Sequence, residues 1–232
     1  MADLVYPPVI VAIKAFWKYL GLRFDFQGEE NIPRHGGAIL AINHVSYLDF
    51  ALTGTAALPA GRYVRFMAKK EIFNNKLAGP LMRGMHHISV DRGNGSASFV
   101  AALRALRNGE IIGIFPEGTI SVSFEIKELK SGAVRLAMGS DVPIIPTIIW
   151  GSQRIWTKKV KRNLRRKNIP VSVTFGVPLY FNKQSDVVEG EDLLRHTMLT
   201  MLREVQEKYP DSHQGERWAP VRLGGSAPAP LN

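Results

Sequence analysis

Apolar positions recur along the chain with two periods. Arg23 to Gln27 alternates polar and apolar residues, and short β-rich runs follow at Gly37 to Ile42, Tyr63 to Ala68, His87 to Asp91, Ile111 to Phe115, Ile144 to Trp150 and Val171 to Phe175. Short runs rich in branched and aromatic residues, bounded by turn formers, predict strands. Between several of them the period lengthens. Ser96 to Arg107 puts Phe99, Leu103 and Leu106 on one helical face, and Leu194, Met198, Met201 and Val205 form a second stripe, read as a core-facing helix rather than a cofactor box. Strands alternating with helices predict an α/β fold: a single domain whose mostly parallel central sheet, of about seven strands, is flanked by helices on both faces.

Both ends of the chain depart from this alternation. Pro7 and Pro8 set a helix start, after which Val9, Ile13, Phe16 and Leu20 share one face, Lys14 and Lys18 another, and Trp17 and Tyr19 add amphipathic rings. Residues 1–21 therefore predict an N-terminal amphipathic helix lying in a membrane interface, with packing on the domain as the alternative. The uncharged stretch Leu4 to Ile13 falls well short of the ~20 apolar residues needed to span a bilayer. Acidic Asp3, where a basic leader would stand, argues against a cleaved signal peptide. Residues 212–232 turn polar and then rich in Gly, Ala and Pro, which predicts a flexible or surface-hugging tail. Residues 22–211 remain as the domain proper, and 232 residues suffice for one such domain with a full core.

Charge sharpens the picture. Of a net charge of +10, most resides between Arg154 and Lys167, which hold eight basic residues and no acidic one. Such a strip suits an anionic membrane surface, where each Lys or Arg contributes about 1 kcal/mol, and attracts nucleic acid by the same electrostatics. Trp156, Val160 and Leu164 stand at helical spacing within it, which favours a membrane-surface strip; a solvated loop is the alternative. Nucleic acid is disfavoured, because Trp156 is the only ring in the run and a base-stacking platform needs several. With no cysteine there are no disulfides, thiolate metal sites or cysteine nucleophiles. No His, Asp and Glu cluster has metal-ligand spacing, and His86 and His87, being adjacent, would face opposite ways in a strand. Gly93-Asn94-Gly95 reads as a turn and cap before the Ser96 helix.

The candidate chemistry lies in two strings. Asn43-His44-Val45-Ser46-Tyr47-Leu48-Asp49 sets an imidazole and a carboxylate five residues apart, just after an apolar strand. His44 is suited to take a proton from a hydroxyl near neutral pH, and Asp49 to hold the other ring nitrogen and stabilise the imidazolium. Ser46-x-x-Asp49 ahead of Phe50, Ala51 and Leu52 also fits a helix capping box, and the two roles are compatible. Phe115-Pro116-Glu117-Gly118-Thr119 follows the apolar run Ile111 to Ile114, at the carboxyl end of a predicted strand, where α/β folds build sites. A plain strand exit is the alternative there.

Together these strings resemble the glycerolipid acyltransferase family, whose bacterial prototypes acylate lysophosphatidic acid. Ser89-Val90-Asp91-Arg92 and Val142-Pro143-Ile144-Ile145-Pro146 are similar to two further family blocks in the expected order, and Lys130-Ser131-Gly132-Ala133 fits the stretch after the Glu-Gly turn, so the likeness runs from about Leu22 to Phe181. The resemblance implies direct O-acyl transfer from acyl-coenzyme A or acyl carrier protein to a lysophospholipid, most simply 1-acylglycerol-3-phosphate, with no covalent acyl-enzyme, cofactor or metal. It implies substrate contacts from Asn43, Ser46, Lys69, Arg92, Glu117, Gly118, Thr119, Lys130 and Pro146, with Arg92 the first choice for the phosphate and Pro143 to Pro146 a wall near the acyl donor. It also implies peripheral attachment on the cytoplasmic face of a membrane. One position departs from the family pattern: Ile120 stands where many members carry a phosphate-gripping arginine. That leaves open a larger phospholipid or glycolipid acceptor. A noncatalytic basic membrane-binding protein on the same fold is the other alternative.

Overall fold

A computed structural model describes residues 3–91, 93 and 95–229; Arg92 and Asn94, and with them the proposed phosphate ligand and part of the expected turn, lie outside the described residues. Seven strands form one sheet: β1 (Arg23–Gln27), β2 (Ala38–Ile42), β3 (Val64–Lys69), β4 (Ile88–Val90), β5 (Ile111–Ile114), β6 (Ile144–Trp150) and β7 (Pro170–Phe175). Their order is β1-β7-β6-β2-β5-β3-β4. Every pairing is parallel except β6 with β7.

The central strands are apolar throughout because helices cover both faces. In β2 and β6 every residue is buried, the pattern of a doubly covered parallel sheet rather than of a half-solvated one. Successive side chains feed opposite layers. Ile39 and Ala41 of β2 and Ile144 and Ile148 of β6 enter one core, whereas Leu40, Ile42, Ile145 and Ile149 enter the other. The first core is closed by α5 (Gly95–Arg107), α6 (Gly132–Ser140) and α7 (Val187–Glu207), the second by α1 (Tyr6–Leu20) and α2 (Asp49–Ala56). Two short helices, α3 (Lys70–Phe73) and α4 (Ala78–Gly84), join β3 to β4. Gly113 in β5 is required by packing: a Cβ there would meet the Phe66 ring at 2.6 Å.

At three places the tertiary structure differs from the sequence pattern. Trp17 is not an interfacial ring; it is 2% exposed and donates through Nε1 to Thr55 Oγ1 at 3.0 Å, because α1 lies on α2. Tyr19 and Val11 remain exposed. The basic segment is not helical: after a short turn at Ser152–Arg154 no regular element occurs until β7. Val160 packs on one core and Leu164 on the other, and Lys159 takes a positive φ of 59°, which an α-helix does not admit. Arg154 leaves the strip altogether, pairing with Asp211 at 2.6 Å over the face of Trp218. The chain after Ser212 docks rather than drifts, as far as it is described. Trp218, Ala219 and Ala227 are buried in the first core, and Arg222 pairs with Glu125 at 2.7 Å.

Candidate active site

Strands β6, β2, β5, β3 and β4 all point the same way, so their carboxyl ends share one edge of the sheet. That edge is where such sheets bind ligands. The Asn43 to Asp49 string leaves β2 there, beside Phe115 to Thr119 leaving β5 and Gly151 to Thr157 leaving β6.

Asn43 extends the sheet by one step. Its Nδ2 donates to the Ile149 carbonyl at 3.0 Å and its Oδ1 accepts the Ile149 N–H at 2.6 Å. This bridge fixes where the chain departs, and His44 is the next residue. Asp49, fully buried at the start of α2, then folds back. Its Oδ2 accepts from His44 Nδ1 at 3.0 Å and from the Val45 and Ser46 N–H groups at 2.8 Å each; its Oδ1 accepts the Ser152 hydroxyl at 2.7 Å. A carboxylate with three backbone and hydroxyl donors is an acceptor only, so Nδ1 carries the proton and Nε2 is left as the basic nitrogen. Ser46 Oγ accepts the Leu48 N–H and donates to the Trp156 carbonyl. Asp49 therefore both caps the turn and orients the histidine. The imidazole stacks on Phe115, with ring centroids 4.2 Å apart and planes at 27°, and stays 21% exposed.

The second string holds His44 from its backbone. Glu117 Oε1 accepts the His44 N–H at 2.8 Å, Oε2 accepts the Lys127 N–H at 3.3 Å, and the His44 carbonyl accepts the Ser121 N–H at 2.7 Å. Burial pushes the Glu117 carboxyl up to about 7, against the opposing pull of those two N–H groups and the Lys127 charge. Gly118 takes φ 70° in the turn that follows, with the Lys130 side chain laid along it: an added Cβ would sit 3.2 Å from Lys130 Cε. Lys127 Nζ donates to the Thr119 carbonyl at 2.7 Å and hydroxyl at 2.6 Å.

Of the residues singled out from sequence, His44, Asp49, Glu117, Gly118, Thr119 and Lys130 come together at this edge. Asn43 and Ser46 are buried supports whose side chains bond to backbone. Pro146 lies inside the sheet, in register with Ala41. Lys69 is exposed at the end of β3. Sequence reasoning did not find Ser152, Lys127 or the stacking role of Phe115. Ser152 carries one signal in retrospect, a small polar residue directly after the long apolar β6 and its glycine.

Beside Phe115 an aromatic path leads inward. Phe115 stacks on Phe66 at 6.4 Å, and Phe66 meets Phe50 edge to face at 5.9 Å. Both belong to an apolar cleft between α1, α2 and β3, lined also by Ile10, Ile13, Leu58 and Met85. Among the described residues no group of three His, Cys, Asp or Glu side chains converges as a metal site would require.

A family model described as Acyltransferase matches residues 23–150, more than half of the chain. A 1-acyl-sn-glycerol-3-phosphate acyltransferase of Bacillus subtilis is 37% identical over 124 residues, 53% of this chain and 60% of that protein. One from Limnanthes alba is 33% identical over 175 residues, 73% and 59% of the two chains. The Homo sapiens 1-acyl-sn-glycerol-3-phosphate acyltransferase alpha is 31% identical over 193 residues, 81% and 67%. The chain thus spans 59–67% of the length of these relatives. The crystal structure of a 1-acyl-sn-glycerophosphate acyltransferase from Thermotoga maritima has the same fold, with a TM-score of 0.72 over 88% of this chain and 82% of that one, at 22% identity.

Proposed function

Because the chain belongs to the acyltransferase family, we propose that it moves a fatty acyl group from an acyl thioester to a hydroxyl of a lysophospholipid, 1-acylglycerol-3-phosphate being the acceptor and phosphatidic acid the product. The names of its relatives support that acceptor. The donor is acyl-coenzyme A or acyl carrier protein. Residues 22–211 form the catalytic unit in this reading.

The observation that carries the reading is the buried Asp49 holding His44 by Nδ1, with Nε2 on the open side of the ring. His44 Nε2 takes the acceptor's hydroxyl proton as the oxygen attacks the thioester carbonyl, and Asp49 stabilises the imidazolium. The tetrahedral oxyanion collapses, the C–S bond breaks, and the thiolate recovers the proton from Nε2. Phe115 limits ring rotation, and the cleft beyond Phe66 is the candidate slot for the acyl chain.

Attachment is peripheral, on the cytoplasmic face. Among the described residues no helix is long and apolar enough to cross a membrane. Exposed apolar side chains support docking: Leu4 at 80% before α1 and Leu77 at 84% before α4. The two elements touch, since Val5 packs against Gly84. Exposed Lys159, Lys161, Arg162, Arg165 and Arg166 supply positive charge beside Trp156.

The test is lipid mass spectrometry after incubating pure protein with acyl-coenzyme A or acyl carrier protein and a panel of lysophospholipid and glycolipid acceptors. Phosphatidic acid formed by the wild type and lost in a folded His44→Ala variant is the expected result. Product from His44→Ala at the wild-type rate would remove the mechanism. Turnover confined to a larger acceptor would move the substrate assignment.

A further inference from the structure

The turn after Thr119 has no cation of its own, because Ile120 is directed inward and only 6% exposed. Lys127 supplies one from seven residues downstream. Its Nζ is anchored by the Thr119 carbonyl and hydroxyl, and its backbone N–H lies on the same Glu117 carboxylate that holds His44. An ammonium has three N–H groups. Two are committed to Thr119, so the third is available to a ligand.

Two more ammonium groups stand nearby. Lys130 lies along Gly118, its Nζ 3.4 Å from where a Cβ would be. Lys158 follows Thr157, whose hydroxyl bonds to the Val45 carbonyl next to His44. Lys158 and Lys130 both act on Lys127, pushing its ammonium below the usual lysine range in addition to partial burial. Glu117 is the one carboxylate that opposes them. Its own charge is weakened at neutral pH, since burial holds its carboxyl near 7. Of the other acidic groups on this segment, Glu125 is paired with Arg222 and Glu128 is exposed. Three cations facing one half-neutral carboxylate repel one another when the site is empty, and an anion relieves that repulsion.

We propose that Lys127, Lys130 and Lys158 form a phosphate-binding pocket at the mouth of the site, with Lys127, fixed on Thr119, as its central ligand. The inference builds on the acyl-transfer reading. The phosphate comes either from the acceptor headgroup or from the nucleotide of a coenzyme A donor, and the pocket distinguishes phosphate-bearing substrates from analogues that lack it.

The experiment has a kinetic and a binding arm. Lys127→Gln keeps a donor for Thr119 while removing the charge, and Lys127→Arg restores it. Loss of a charge-assisted contact is expected to raise the KM of the phosphate-bearing substrate about tenfold or more, with partial recovery in the arginine variant. If the acceptor supplies the phosphate, KM rises for 1-acylglycerol-3-phosphate and is unchanged for monoacylglycerol. If the donor supplies it, KM rises for acyl-coenzyme A and is unchanged for acyl-pantetheine. The binding arm needs no turnover: glycerol 3-phosphate or adenosine 3′,5′-bisphosphate should slow modification of Lys127 and Lys130 by an amine reagent, measured by mass spectrometry against exposed Lys183. Equal effects on substrates with and without phosphate, unchanged kinetics in Lys127→Gln, or absence of protection by either ligand would each overturn the pocket. Protection in a protein that transfers no acyl group would uphold the pocket and remove the catalytic reading.

Discussion

Replacing Asp49 separates its two duties, because asparagine and alanine fail differently. In the wild type Oδ2 receives the His44 Nδ1–H and the Val45 and Ser46 N–H groups, while Oδ1 receives the Ser152 hydroxyl. In Asp49→Asn the amide oxygen must take the Oδ2 place, since an NH2 group there would face three donors. The NH2 then meets Ser152 Oγ, which can turn and accept. All four contacts persist, but charge-assisted bonds become neutral ones, a loss of about 1–3 kcal/mol. The imidazolium loses its counter-charge, and turnover should fall by about 10²–10⁴-fold with both KM values little changed. Asp49→Ala instead leaves two backbone N–H groups and a buried hydroxyl unpaired, at about 1–3 kcal/mol each. The sum of about 3–9 kcal/mol rivals the whole stability of an ordinary domain, about 5–15 kcal/mol. Thermal melting and steady-state acylation of the two variants, side by side, should show a folded, slow Asn protein and a largely unfolded Ala protein. Wild-type turnover in folded Asp49→Asn would refute the orienting role, and an alanine variant melting like the wild type would refute the accounting of bonds.

Glu117 gives a pH signature: its folded carboxyl sits near 7 against an ordinary 4.5, so between those values the native state holds a proton that the unfolded chain has released, and stability falls as pH rises. The loss, complete above about pH 7, is on the order of 3 kcal/mol; melting from pH 4 to 8 should decline more steeply in the wild type than in Glu117→Gln, and parallel curves would contradict it. Reversing charge at exposed Lys159, Lys161, Arg162 and Arg165, which spares Lys158, should weaken cosedimentation with anionic vesicles and flatten its salt dependence. Leu77→Glu should weaken binding to neutral and anionic vesicles alike, and an unchanged salt slope in the charge-reversed protein would turn the strip away from the membrane. Trp218→Ala should cost about 3–5 kcal/mol, read by denaturant unfolding, because the ring fills a core site against Trp150 and Tyr209; a change under 1 kcal/mol, roughly that of a surface substitution, would mean that the C-terminal segment only rests on the domain.

The elements themselves were legible in the sequence because strand and helix periods are local properties. Arg23 to Gln27 and Ile144 to Trp150 were delimited as the structure has them, and the stripe at Leu194, Met198 and Val205 is the buried face of α7. The ordered motifs also located His44, Asp49 and the Glu-Gly turn at strand exits, where adjacency in sequence reflects adjacency in space. Strand order, the reversal of β7 against β6, and the burial of Trp17 were decided by packing between segments far apart in the chain. The basic run looked helical because Trp156, Val160 and Leu164 keep a four-residue spacing, yet each side chain went to a separate environment. A few apolar anchors suffice to dock a Gly- and Pro-rich end, which average composition hides. Ser152 reaches Asp49 across 103 residues, and Lys127 reaches Thr119 by folding back over a loop with no repeat to read. Periodicity reports which face of an element is apolar, but the partner of a polar side chain depends on how the chain closes in three dimensions, and that closure is set by the whole core at once.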